Sequence, residues 1–325
     1  MSTPAPRTTD PSRRRMSPEE RRAADALRAE LGFGDRRVAK ALGLTPDVVR
    51  GDRERRRPLL PLAPPPAGPR ILLFDIETMA IKAWVWRNWK TNVVATEADW
   101  YMLSASWQWL GQEETGFVSI AQDPSFYPDT TDDRLVVQRL ADLFEQADVT
   151  VAHYGDRFDT PKTNARFIYH GIPPPSPYQT VDTKKETARH FDLASYSLDE
   201  TCRYLGIGRK LPHRGFELWR ECAAGDPTAW AEMEAYNRHD VALLRDLYLR
   251  LRPWLGHPGK AGGGPNLGLW PQGDEEWTCP KCGAHRRTRD GTYRTRFSRY
   301  QAFRCAGCGG WSRAPFRERG HAPAV

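Results

Sequence analysis

"ILLFDIET", residues 71–78, decides the fold. Four apolar residues lead into Asp75, and Ile76 separates that acid from Glu77. A short apolar run of this kind reads as a buried strand. In a strand, residues i and i+2 point to the same face, so Asp75 and Glu77 project together, roughly 6–7 Å apart. Two like charges that close are unfavourable unless a cation lies between them. Hard divalent ions such as Mg²⁺ take carboxylate oxygens as ligands. A metal site explains the pair, and so does a strand end with two solvated acids.

Working outward, "YMLSASWQWLG" (101–111) and "TGFVSIA" (115–121) read as two more strands, and "DVTVAHY" (148–154) and "YQTVDTKK" (178–185) as further short ones. "TDDRLVVQRLADLFEQA" (131–147) has helical spacing, with Leu135, Leu140, Leu143 and Phe144 on one face and Thr131 or Asp132 as N-cap. "TPKTNARFIYHG" (160–171) is a helix with Pro161 in its first turn. "SYSLDETCRYLG" (195–206) is another, capped by Ser195 or Ser197, and residues 226–256 form a long helical region. Strands followed by αβα alternation predict an α/β domain over residues 70–254, a mixed sheet flanked by helices.

Two later stretches add acids. "GDRFDTPK" carries Asp159 at a helix start, with Asp156 as a competing acid. "AYNRHDVALL" sets Tyr236 and Asp240 one helical turn apart, on one face. Taken singly, Tyr236 reads equally as a half-buried aromatic and Asp240 as a surface acid.

As a set, Asp75 and Glu77 in "FDIET", Asp159 in "RFDTP" and Tyr236 with Asp240 in "YNRHD" resemble the DEDD superfamily of 3′–5′ exonucleases, which has a ribonuclease H-like (DnaQ-like) fold. The Tyr-x3-Asp form resembles the DEDDy branch. "IKAWVWRNWKTNV" and "VDTKKETARHFDLASYSLDETCRYLGIGRKL" also look like phage and bacterial nucleases of this kind. The chain departs from the family in reading His153-Tyr154-Gly155 where an Asn is common. The resemblance implies hydrolysis of phosphodiester bonds with two Mg²⁺ or Mn²⁺ ions. It implies Asp75 as ligand to both ions, Glu77 and Asp240 as ligands to the water-activating one, Asp159 as ligand to the second through its water shell, and Tyr236 orienting the attacking water. The alternative is a catalytically inactive nucleic-acid-binding or regulatory protein on a nuclease fold. Proofreading for a polymerase, or a replication or repair role, would need a partner subunit.

Near the C-terminus, Cys279-x2-Cys282 and Cys305-x2-Cys308 are each followed by Gly. Four thiolates at that spacing point to one structural Zn²⁺ in a zinc ribbon over residues 277–313, with His285 a weaker alternative ligand. Between the pairs lies a basic, aromatic segment. Arg286, Arg287, Arg294, Arg296 and Arg299 are candidate phosphate contacts there.

Residues 17–56 read as three short helices, and "VAKALGLTPDVV" suits a helix-turn-helix and a plain helical hairpin alike. The first of these favours DNA over RNA as substrate, and the resemblance to the exonucleases implies a free 3′ end. A disordered tail (1–16), a Pro-rich linker (57–69), a Gly-rich linker (255–276) and a tail (314–325) complete the organisation.

Residues 1–70 hold 16 Lys/Arg against 9 Asp/Glu, and residues 271–325 hold 11 against 5. The middle holds 21 against 27. An acidic centre between basic flanks suits a carboxylate metal site between phosphate-binding arms, and equally Arg-rich solvated tails. No apolar run is long enough to span a membrane, and the N-terminus lacks a secretory pattern, which predicts a cytoplasmic protein. Trp84, Trp86, Trp89, Trp100, Trp107 and Trp109 are expected mostly in packing, with one or two stacking on bases.

Overall fold

The computed structural model describes residues 16–31, 34–56, 68–128, 130–256, 264–269, 277–296, 298–314 and 316. Nearly all of the expected N-terminal tail and Pro-rich linker, most of the Gly-rich linker and most of the C-terminal tail lie outside the described residues. The chain divides into two units, Met1–Pro64 and Pro65–Val325.

The first unit has helices α1 (Pro18–Leu31), α2 (Asp35–Leu42) and α3 (Pro46–Arg56). Ser17 and Glu20 cap α1 reciprocally, at 3.1 and 2.7 Å. α2 ends on Gly43, whose φ of +64° suits glycine. A three-residue turn then leads to α3. Ala24, Val38, Ala39, Val48 and Val49 form a small core, and buried Asp52 pairs with Arg21 at 2.8 Å.

In the second unit, β1 (Ile71–Thr78) is the central strand of a five-stranded sheet. On one side β4 (Met102–Trp109) pairs antiparallel with β1 and β5 (Thr115–Ser119) antiparallel with β4, and on the other β6 (Val149–Ala152) and β7 (Gln179–Asp182) run parallel to β1, in the order β5-β4-β1-β6-β7. Alternation along β1 divides its side chains between two cores. Leu72, Phe74 and Ile76 join Val136, Val137, Leu140 and Phe144 of α4 (Arg134–Phe144). Ile71 and Leu73 join Val241, Leu244 and Tyr248 of α9 (Pro227–Leu251). A sheet with helices on both faces results. Because residues 71, 73, 75 and 77 share a face, Asp75 and Glu77 are aimed at α9.

Several elements differ from the sequence reading. The helix expected to be capped by Thr131 or Asp132 has Asp133 at its N-cap. The Asp133 side chain turns into the core instead, accepting from Met102 N (2.9 Å) and Arg166 (2.6 Å) and pairing with His170 (2.6 Å). β7 stops at Asp182 because that carboxylate caps a further helix, α6 (Thr183–His190), accepting from Lys184 N and Lys185 N. The remaining helices are α5 (Asp159–Tyr169), α7 (Leu198–Tyr204), capped by Ser197, and α8 (Phe216–Ala223). Strands β2 (Lys82–Val85) and β3 (Val93–Ala98) form a separate antiparallel hairpin. Trp100, Trp107 and Trp109 pack against the core as expected, but Trp84, Trp86 and Trp89 are exposed on the hairpin.

The ribbon strands β8 (Arg287–Arg294), β9 (Arg299–Cys305) and β10 (Trp311–Arg313) form a three-stranded antiparallel sheet in the same unit. Its first knuckle docks on the end of α9. Lys281 is buried and its ammonium donates to the Leu255 carbonyl. Arg252 Nε donates to Lys281 O at 3.1 Å, and Leu267 N to Pro280 O at 2.8 Å. Leu267 itself fills the core beside Tyr248 and Leu255, so this part of the expected flexible linker is packed.

Candidate active site

Three elements meet where β1 outruns its neighbour. β6 pairs only with Ile71–Leu73, so the sheet opens beyond Leu73, and a bulge between Glu77 and Thr78 bends the strand's end. The start of α5 fills the opening. Asp159 is 2% exposed, and its Oδ1 accepts from Ile76 N at 3.3 Å. On the other side α9 presents Tyr236, Asn237 and Asp240, all buried. Ligand oxygens of Asp75, Glu77 and Asp240 come within 4.8 Å of one another. Asp159 stands beside this trio but is not part of that tight group.

Asp156, the competing acid, lies on the surface in an ion pair with Lys185 (2.8 Å) and accepts from Thr180 Oγ1. The His153-Tyr154-Gly155 turn is held without an Asn. Asp182 accepts from Tyr154 N (3.0 Å) and Asp156 N (3.3 Å). A Cβ on Gly155 would lie 2.6 Å from that of Ala152, so the turn closes too tightly for a side chain. His153 is neutral, its pKa lowered to about 4 by burial, and its Nε2–H donates to the Tyr196 carbonyl.

The acids crowd one another. Burial, then Glu77, Asp159 and Asp240, drive the Asp75 pKa well up. Burial pushes Glu77 up to about 8 and Asp159 up to about 7. Asp240 is raised by burial, partly offset by Lys210. Such a set accepts protons or cations readily.

Lys210 and Asn237, which the sequence reading missed, supply the site's own counter-groups. Lys210 Nζ lies 2.7 Å from Asp240 Oδ2 and donates to Tyr236 OH at 2.8 Å. Burial opposes its charge, but Asp240 and Tyr236 more than compensate and raise its pKa. Asn237 Nδ2 donates to Asp75 Oδ2 at 2.7 Å, and its Oδ1 accepts from Ser104 Oγ at 3.2 Å. Trp219 of α8 lowers the Glu77 pKa a little against its burial, and packs edge-on against Tyr236. The local signal for Lys210 is a basic pair, Arg209-Lys210, just beyond Gly206 and Gly208.

A divalent cation fits this donor set. Its oxygens are hard and convergent, and an ammonium already occupies part of the negative field. The four cysteines fit a different ion. Their Sγ atoms lie within 4.8 Å of one another, with Cys279–Cys308 at 3.9 Å and Cys282–Cys305 at 3.6 Å. A tetrahedron with metal–sulfur bonds of about 2.3 Å has edges of about 3.8 Å. Backbone N–H groups of Lys281 and Gly307 point at Cys279 and Cys305 sulfur. His285 faces Trp277 O and Thr278 instead, away from the thiols.

Of the candidate phosphate contacts, Arg286, Arg287, Arg294 and Arg296 are exposed and Arg299 is half-buried, all on the ribbon hairpin. Arg294 lies opposite Arg299, and the Arg287 guanidinium stacks 4.1 Å from the Phe303 ring.

Residues 91–252 match the family model of the RNase_H superfamily. The central domain is ribonuclease H-like. The match spans β3 to the end of α9 and so takes in Asp159, Tyr236 and Asp240, while Asp75 and Glu77 precede it. No curated protein matches the sequence. Among solved structures the chain is similar to a family B DNA polymerase from the hyperthermophilic archaeon Pyrobaculum calidifontis, at 19% identity and a TM-score of 0.43. That match covers 59% of this chain and 25% of the polymerase. Among the described residues, no helix is long and apolar enough to cross a membrane.

Proposed function

We propose that the protein is a metal-dependent 3′–5′ exonuclease acting on nucleic acid, with DNA favoured by the three-residue turn between α2 and α3. The observation that carries the reading is the convergence of Asp75, Glu77 and Asp240 within 4.8 Å, with Asp159 and Tyr236 alongside. Asp75, Glu77, Asp159 and Asp240 would hold two Mg²⁺ or Mn²⁺ ions, which supply an activated water and stabilise charge on the leaving 3′-oxygen.

The chain's own groups do the rest. Asn237 fixes the Asp75 carboxylate by its amide. Tyr236, neutral because burial raises its pKa, offers a phenol to orient a water. Lys210 holds that phenol and Asp240 together. The cysteine cluster would hold one Zn²⁺ with a structural role, since so small a sheet has little core of its own.

Digestion of 5′- and 3′-labelled DNA and RNA strands with Mg²⁺ or Mn²⁺ tests the reading. A 5′ label should yield a ladder and a 3′ label a mononucleotide at once. Asp75→Asn and Asp240→Asn should each reduce hydrolysis by about 10³-fold or more, the scale on which a group stabilising transition-state charge acts, with binding largely kept. Wild-type protein that binds strands and cleaves none would leave the alternative, an inactive binding protein on this fold.

A further inference from the structure

Thr78 to Ile81 link Glu77 to the β2–β3 hairpin, so the hairpin leaves the sheet directly behind the carboxylates. Trp84 is 65% exposed, and Trp86 and Trp89 are each 84% exposed. We propose that this hairpin is an aromatic arm that stacks on unpaired nucleobases of the strand whose end enters the carboxylate site. The proposal rests on the hydrolase reading above.

Folding does not account for these rings. A two-stranded hairpin is marginal by itself, and nearly every residue of both strands is exposed. Large rings in water contribute nothing to a core, and several exposed apolar side chains on one short hairpin mark an interaction site. The charge pattern indicates the partner. At the tip each ring is followed closely by a cation, Trp86-Arg87 and Trp89-Lys90, in the domain whose other residues are net acidic. Ring and cation together suit a base and its phosphate, and single-strand binding surfaces combine these two features. Paired bases hide their faces in the duplex stack, so only unpaired bases can lie on the rings.

Continuity with the site supports the same occupant. A groove of about 300 Å³ runs along residues 78–81, walled by Trp100, Lys162, Phe216 and Trp219. Trp219 also acts on Glu77, whose charged form its indole favours, so one side chain adjoins both the groove and the carboxylates. Lys162 Nζ lies 3.6 Å from the Trp100 ring, which places a cation on the groove wall. A strand lying on the arm would reach the acids along this groove.

Tryptophan fluorescence titrations in magnesium-free buffer test the arm with three probes. These are oligo-dT of 12 nucleotides, an abasic strand with the same number of phosphates, and a blunt 12-base-pair duplex. Oligo-dT should quench the fluorescence and bind at least about tenfold more tightly than either of the others. Trp84→Ala/Trp86→Ala/Trp89→Ala should bind oligo-dT no better than the abasic strand, and the matching Phe variant should recover most of the affinity. If the triple Ala variant does not fold, Trp86→Ala and Trp89→Ala alone, each changing an exposed side chain, should each weaken oligo-dT binding about tenfold. Equal wild-type affinity for oligo-dT and the abasic strand overturns the proposal, as does full affinity in folded Ala variants; the arm is then a docking surface for a protein. The hydrolase reading fails separately. Ring-dependent binding without any cleavage of labelled strands in Mn²⁺ removes the hydrolase and keeps the arm, and cleavage with ring-independent binding does the reverse.

Discussion

Asp159 and Asp156 are three residues apart in sequence and in opposite environments. The first is buried against Ile76 N at the open edge of β1, and the second is tied to Lys185 on the surface. Asp159→Asn should lower hydrolysis by about 10²-fold or more, while Asp156→Asn should change it less than about threefold, because an exposed ion pair contributes little. Steady-state rates on a labelled strand read both, and the reverse order would move the second acidic motif by three residues.

A second prediction at this scale concerns pH. Glu77 and Asp159 have folded-state values near 8 and 7, above those of an unfolded carboxylate. From about pH 5 up to these folded-state values the unfolded chain has already lost the protons and the folded chain still holds them, so stability falls as pH rises and levels off above about pH 8. In magnesium-free buffer Tm should drop by several degrees across that range. Glu77→Gln should show a shallower fall, and added Mg²⁺ should flatten the wild-type slope. A wild-type Tm that rises over this range would contradict the crowding of the acids.

Among elements, α9 connects the two metal-competent sites. Its middle carries Tyr236, Asn237 and Asp240, and its end receives the first knuckle through Lys281, Arg252 and Leu267. Cys279→Ser or Cys305→Ser should unfold the ribbon, because metal binding supplies so small a module's folding energy. The docking extends that expectation. Loss of the metal should expose residues 251–256 and 267–269 to amide exchange as well, because Lys281 and Leu267 would leave their buried places. The turn that bears Asp240 packs on β1 through Val241 and Leu244 and should stay protected. Hydrogen exchange on the Cys279→Ser protein checks this, with wild-type zinc content expected at one ion per chain. Unchanged protection at 251–256 would show the docking to be energetically idle.

For the whole molecule, charge is the relevant quantity. The acidic middle carries the carboxylate site, and the basic flanks include the ribbon with Arg286, Arg294 and Arg296 exposed. Phosphate contacts release counterions, so log affinity should fall linearly with log salt, by about 0.7 per contact on a single strand. Replacing these three arginines by Ser should weaken binding and reduce the slope by about 2. Identical slopes would remove the ribbon from substrate binding and leave the cysteine cluster untouched as a metal site.

The sequence by itself determined the faces. Period-two alternation in "ILLFDIET" placed Asp75 and Glu77 together, helical spacing placed Tyr236 with Asp240, and paired Cys-x2-Cys placed the thiols, because each of these patterns is local. Mixed sheet and flanking helices followed from the same periodicities. Tertiary structure alone decided which distant groups complete the site. Lys210 reaches Tyr236 from 26 residues away, and Asn237 reaches Asp75 across 162. Nothing periodic marks either residue, since a loop lysine and a helix asparagine gain meaning only when the chain returns them to the carboxylates. The same holds for the tryptophans. Trp84 and Trp107 look alike in sequence, but one strand lies in the five-stranded sheet against a core and the other forms a hairpin with both faces open. Burial depends on what covers a surface, and only the assembled fold supplies or withholds that cover.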